Sequence, residues 1–181
     1  DFFDTDSLEK ALRLDKEVDV VVIGPGLGNP EPEAVRDFLK KCSSPIVVDA
    51  DVLDYVDSKS IENAVLTPHR AEFEQIEEDL DVILGRGNVV VKKGAKDTIY
   101  HRDEEDKIET GHPSMTVGGT GDVLTGIIAS LVAQGLDLKE ATQLGTWLNG
   151  KAGEKAAERH GNGVLATDIA ETVSEVLASR I

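Results

Sequence analysis

Apolar runs dominated by β-branched residues recur through the first half of the chain, in "DVVVIGPG", "PIVVDAD", "NAVLTPH" and "NVVVKKGAKDTIY". Their apolarity is continuous rather than alternating, which predicts strands covered on both faces. Between the first two, "NPEPEAVRDFLKKC" opens with prolines and glutamates, as helix first turns do. It then repeats apolar positions at helical spacing, at Ala34, Val35, Phe38, Leu39 and Cys42. With helix-like segments between the runs, the order reads β-α-β-α-β and predicts a parallel sheet with helices on both faces. The stretch "KDTIYHRDEEDKIETGHP" breaks that rhythm with two short strands around an acidic turn, an antiparallel hairpin. Beyond it, three- and four-residue spacing predicts helices over Asp122–Gln134, Leu138–Arg159 and Thr167–Ser179, interrupted at Gly135 and at "HGNG". No internal repeat, low-complexity tract or linker divides the chain, and 181 residues suit a single domain over 1–181.

In open α/β sheets ligands collect at the carboxyl ends of the strands. Here "GPGLG" (Gly24–Gly28), "DAD", "TPH" and "KKG" each follow an apolar run, so four separate segments are expected to converge. A separate glycine-rich segment is "MTVGGTGDVLTGI", where Gly118, Gly119 and Gly121 precede a helix. Glycines there let successive backbone N–H groups aim one way, and the helix start adds its dipole, which together suit an anion. Asp122 stands inside this cradle and has two readings. It either caps the helix or acts as a general base beside the anion.

The other candidates carry paired readings as well. "GPGLG" lacks the spacing of the dinucleotide fingerprint, so it is either a tight turn or a place of close substrate approach. Asp49 and Asp51 flank Ala50 and on an extended strand would face one side. Two like charges there need a cation, a donor or a shifted pKa, unless they cap the following helix. His69, after the rigid Thr67-Pro68 bend, points toward the same sheet edge, in a structural or a catalytic role. Lys92, Lys93 and Lys96 around Gly94 serve either solubility or a nucleotide phosphate. Trp147 and Leu144 read as helix packing.

Composition narrows the partners. Against 35 acidic residues stand 19 basic ones, a formal charge of −16, which argues against nucleic acid or an anionic membrane surface. The single cysteine, Cys42, excludes an internal disulfide framework, fits an intracellular setting and reads as a buried structural thiol. With one cysteine and no metal-ligand spacing among His69, His101, His112 and His160, a zinc site is excluded. No stretch reaches the ~18 apolar residues of a membrane span.

Taken in order from about Val20 to the end, "VVIGPGLG", "VVDAD", "VLTPHRAEF", "VVVKKGA" and "GHPSMTVGGTGDVLTGIIASLVAQG" resemble the ribokinase-like proteins, and within them the nucleotide-dependent NAD(P)H-hydrate dehydratase family. The pairing of TPH with GGTGDVL is the specific part. The resemblance implies a three-layer α/β/α fold with a mostly parallel central sheet. It also implies a strand, turn and helix ahead of residue 1, so the chain is expected to be amino-terminally incomplete. The implied activity is repair of hydrated NADH or NADPH. A nucleotide phosphorylates the ring hydroxyl, and the ring nitrogen's lone pair then expels phosphate and restores the double bond.

By this resemblance Asp122 is the base, and Gly24, Gly26, Gly28, His69 and Asp122 contact the hydrated nicotinamide. Lys93, Gly94, Ala95, Lys96, Asp97, Gly119, Thr120 and Gly121 hold the nucleotide. ADP or ATP is the implied co-substrate, with magnesium expected and no ligand set assigned. A cytoplasmic homo-oligomer working beside an NAD(P)H-hydrate epimerase domain or protein completes the expectation. The alternatives are a small-molecule kinase of the hydroxyethylthiazole or pyridoxal type and a nucleotide-binding remnant without turnover.

Overall fold

The computed structural model describes residues 3–179. Helix α1 (Thr5–Leu14) leads into β1 (Val21–Ile23), α2 (Pro32–Lys41), β2 (Ile46–Val48), a 3-10 turn over Ala50–Tyr55, and β3 (Ala64–Leu66). Two short helices, α3 (Arg70–Ile76) and α4 (Leu80–Gly85), precede β4 (Val89–Lys92). The hairpin β5 (Asp97–His101) and β6 (Glu104–Ile108) follows. A 3-10 turn at Pro113–Met115 then introduces three longer helices, α5 (Thr120–Ala133), α6 (Leu138–His160) and α7 (Ala166–Ala178).

The six strands form one sheet in sequence order, with β1 to β4 parallel and β5 and β6 antiparallel. Because each parallel strand sits beside its predecessor, right-handed crossovers send every connection to the same face. Both faces are covered, as the continuous apolar runs require, but by separate blocks of sequence. Ile46, Val48, Ala64, Leu66 and Val90 pack against α2, the 3-10 turn, α3 and α4. Val47, Val65, Val89 and Val91 point the other way, into α5 and α6. These four valines are fully buried, each worth roughly 1.5–3 kcal/mol of apolar transfer. Helix α7 lies outside, packing Ile169 and Val176 onto α5 and α6.

Two elements differ from the pattern-based expectation. The β2–β3 connection is a 3-10 turn and not an α-helix, since its buried apolar residues, Val52 and Leu53, are adjacent and one tight turn covers both. Helix α1, unanticipated, is started by Asp4, whose carboxylate accepts the Ser7 N–H at 2.9 Å. Its Leu8, Ala11 and Leu12 lie on one face and join the first core. Cys42 is half-buried, and its thiol donates to Asp15. Burial and the Asp15 charge push its pKa up to about 12, so it is a structural thiol.

Candidate functional site

The strand ends converge as their spacing predicts. Gly24, just past β1, has φ +124°, and a Cβ there would sit 1.8 Å from the Asp49 carbonyl oxygen. Only glycine lets the first turn press against the end of β2. The Asp49 N–H in turn donates to Ile23 O at 3.1 Å. Past β3, the Thr67 N–H donates to Val48 O at 3.0 Å, and the Lys93 N–H donates to Pro68 O at 2.8 Å. Four loops are thereby stitched into one edge.

The charges at this edge differ from the sequence reading. Asp49 and Asp51 do not share a face, because Asp49 is still extended while Ala50 turns left-handed at φ +54°. Asp51 swings into solvent, and Asp49 is only 2% exposed. The buried carboxylate accepts from Lys93 Nζ at 2.6 Å and faces Thr125 Oγ1 of α5 at 3.2 Å. A Cβ on Gly121 would lie 3.3 Å from Lys93 Nζ and 3.4 Å from Asp49 Oδ2. An ammonium, a carboxylate and the first turn of α5 therefore meet at a single point. The other lysines have separate tasks: Lys92 lies 4.2 Å from the Phe73 ring centre, and Lys96 pairs with the exposed Glu109.

The start of α5 is an open cradle. Gly119 adopts φ +91° at its N-cap, and no side chain caps the helix. Asp122 is exposed on the first turn and makes no hydrogen bond to the described residues, so of its two sequence readings the cap is excluded. The first N–H groups of α5 thus point outward unopposed.

Beside this cradle lies a cleft of about 380 Å³. It is walled by the β4–β5 turn, the segment from Thr110 to Thr116, the start of α5, and Asn149 and Gly150 of α6. Of the eight residues expected at the nucleotide, Lys93, Gly94, Ala95, Asp97, Thr120 and Gly121 line it. Lys96 is turned to Glu109, and Gly119 packs against Ala166, where a Cβ would come within 3.1 Å. Asp97 shapes the turn by accepting the Gly94 N–H at 2.9 Å. Its burial raises its pKa, opposed by that hydrogen bond and by Lys93.

The five residues expected at the hydrated nicotinamide stand outside this cleft. Gly26 and Gly28 are left-handed turn positions at φ +68° and +72°. His69 caps α3, its Nδ1 accepting from the Ala71 and Glu72 N–H groups at 3.1 Å, while the Glu72 carboxylate accepts the His69 N–H. Its ring is more than half exposed at the edge shared with Lys93.

Pattern reading missed the α6 wall. Gly150 and Gly153 let the 110–115 segment lie on the helix, since Cβ atoms there would fall 2.2 Å from Thr110 Oγ1 and 2.1 Å from Met115 Sδ. The signal was present in "LNGKAG", two glycines three apart in a helical stretch.

A mostly parallel sheet in a three-layer fold, whose strand ends meet an uncapped helix start and a half-buried lysine, defines a ribokinase-like α/β protein. A ribokinase-like superfamily protein from Enterococcus faecalis superposes with a TM-score of 0.80 at 25% identity, over 95% of this chain and 68% of its own. The Bacillus subtilis ADP/ATP-dependent NAD(P)H-hydrate dehydratase, co-crystallized with ATP/Mg2+, gives 0.75 at 24% identity, over 96% and 70%. Residues 2–175 match the family described as NAD(P)H-hydrate dehydratase. The ADP-dependent (S)-NAD(P)H-hydrate dehydratase of Haloterrigena turkmenica is 38% identical over 179 residues, covering 97% of this chain and 70% of that protein. The chain belongs to the NAD(P)H-hydrate dehydratase family.

Proposed function

We propose that the protein dehydrates (S)-NAD(P)H-hydrate to NAD(P)H with consumption of ADP or ATP. The observation that carries this reading is the meeting of Lys93, Asp49 and Gly121 at the open start of α5, beside a cleft of nucleotide-compatible size. In this reading the nucleotide occupies the cleft, with its terminal phosphate on the α5 amides and Lys93. The hydrated ring lies on the other side, toward Gly24, Gly26, Gly28 and His69.

Asp122 takes the proton of the ring hydroxyl as its oxygen forms a bond to the terminal phosphorus and the bond to the nucleotide's leaving oxygen breaks. Phosphate then departs with its C–O electron pair. The ring nitrogen's lone pair assists, and loss of the neighbouring carbon's proton restores the double bond. The α5 amides stabilise charge on the transferring group throughout. Exposure of Asp122 suits this role, because the proton it accepts leaves to water.

Magnesium, when bound with the nucleotide, would supply charge neutralisation on the phosphates. Among the described residues no cluster of three His, Cys, Asp or Glu side chains is arranged to hold a metal ion, and the carboxylate beside Gly121 is already bound by Lys93. A magnesium ion would therefore reach this site together with the nucleotide and not through a cluster of side chains of its own. No helix among the described residues is long and apolar enough to cross a membrane. A cytoplasmic homo-oligomer cooperating with an epimerase is part of the same proposal.

The test is incubation with hydrated NADH, magnesium and either ADP or ATP, following recovery of dihydronicotinamide absorbance. Nucleotide-dependent recovery is the expected result, and the more effective nucleotide identifies the donor. A stable phosphoester in place of recovered absorbance would identify a kinase and overturn the reading.

A further inference from the structure

Asn149 sits in the middle of α6 at 6% exposure, and its Oδ1 is fully shielded from solvent with no hydrogen-bond donor among the described residues. A buried carbonyl oxygen left unpaired costs on the order of 1–3 kcal/mol, so its persistence calls for a partner. The same side chain lines the cleft, on the α6 wall facing the start of α5. The lining of the cleft also includes the apolar side chains of Leu124, Met115, Pro113 and Ala95. Lys93 and the α5 amides mark the anionic part of the cleft, whereas Asn149 is a neutral amide.

We infer that Asn149 reads the base edge of the nucleotide, selecting a 6-aminopurine; this rests on the nucleotide-site reading above. A carboxamide presents one acceptor and one donor group side by side. Adenine offers the complement, an exocyclic N–H donor next to a ring-nitrogen acceptor, and bidentate pairing of this kind is the usual way asparagine recognises it. At the edge formed by N7 and the 6-substituent, a 6-oxopurine presents two acceptors, so one acceptor faces Oδ1 and leaves it unpaired. The apolar lining residues suit the two faces of a flat heterocycle. The glycine at 150, which lets Thr110 approach α6, keeps the 110–115 segment close enough to form the opposite wall.

The experiment measures binding of ADP, inosine diphosphate and inorganic pyrophosphate to the wild-type chain and to Asn149→Leu, a near-isosteric change without polar atoms. The expected result is that the wild type prefers ADP to inosine diphosphate by about tenfold or more. In Asn149→Leu, ADP affinity should fall by a similar factor and the preference vanish, while pyrophosphate binding is unchanged. Equal weakening of ADP and pyrophosphate would show that Asn149 merely supports the fold of α6, and unchanged ADP binding would show that it does not face the base. Either result overturns the inference while leaving the nucleotide site standing. A wild type that binds neither ADP nor pyrophosphate overturns both. Asn149→Asp is the second variant. It keeps the acceptor but loses the amide donor, and the ADP preference is expected to weaken with the fold intact by circular dichroism.

Discussion

Two aspartates stand at the start of α5 and live in opposite surroundings. Asp49 is buried, bound to Lys93, and backed by the turn at Gly24. Asp122, on the helix itself, is exposed and has no hydrogen-bond partner among the described residues. A carboxylate locked into a short ion pair is poorly placed to accept a proton during turnover, since protonation would strand its lysine. A carboxylate on the first turn of a helix is favoured by the dipole, and one left free beside an anion cradle is available to accept a proton. In the proposed reaction the two have different work: Asp49 positions a cation, and Asp122 moves a proton.

The largest effect expected from breaking that contrast is on turnover. Asp122→Asn should lower the rate of nucleotide-dependent dehydration by about 10²–10⁴-fold, with thermal stability within about 0.5 kcal/mol of wild type, as for an exposed substitution. Steady-state rates beside a melting curve check both. Unimpaired turnover would return Asp122 to the role of an idle surface charge.

Next in size is Asp49→Ala, read by chemical denaturation. It leaves Lys93, whose side chain is 22% exposed, without its partner. Removing one member of a buried pair costs about 3–5 kcal/mol, and partial exposure of the lysine puts the expected loss at the lower end. Pyrophosphate binding distinguishes positioning from mere stability. If Asp49 holds Lys93 in place, affinity falls; if the α5 amides alone hold the anion, affinity rises because a nearby negative charge has gone.

Asp15 provides a third carboxylate against which to sharpen the comparison, since it is as buried as Asp49 but has no lysine partner among the described residues. It accepts the Ser43 and Ser44 N–H groups at 2.9 and 3.0 Å and the Ser43 hydroxyl at 2.7 Å. Burial pushes its pKa up, but these hydrogen bonds and the one from Cys42 outweigh it and hold the carboxyl well below the usual range. A depressed folded-state pKa contributes stability that is complete above the unfolded pKa near 4 and is lost as pH falls below it. The melting-temperature gap between wild type and Asp15→Asn should therefore be full above about pH 5 and shrink below about pH 4. A gap constant from pH 7 to pH 3 would mean that the carboxylate is not the form stabilised.

Much of this edge was legible before any coordinates, because its strongest signals are local. Continuous Val and Ile runs have few other uses than two-sided strands, and glycines directly after them mark places where main chain meets main chain, as at Gly24. What escaped was direction. Whether Asp49 and Asp51 share a face depends on a single left-handed residue, Ala50, in a conformation that alanine disfavours and the sequence therefore does not signal. The face of α6 that holds Asn149 escaped for a related reason. An asparagine between Leu148 and Gly150 reads as an ordinary helix position until the partner segment from Thr110 to Met115, some 37 residues earlier in the chain, is brought against it. The division of labour between faces was likewise hidden, since strand spacing cannot say whether neighbours in sequence are neighbours in the sheet.

The smallest expected effect comes from Thr125, which lies between the two aspartates. Its hydroxyl stands 3.2 Å from Asp49 Oδ2 and 2.8 Å from the Gly121 carbonyl one turn earlier. A hydroxyl has one proton and gives one strong bond at a time. The shorter contact is an ordinary helix back-bond, so Asp49 receives little from Thr125 and depends on Lys93. Thr125→Val keeps the shape and removes the hydroxyl, and should cost about 1 kcal/mol or less, without altering pyrophosphate affinity. A loss matching that of Asp49→Ala would show that the threonine, and not the lysine, anchors the buried carboxylate. The lysine would then be free to follow a phosphate, and the assignment of Asp49 as the residue that positions the cation would fall.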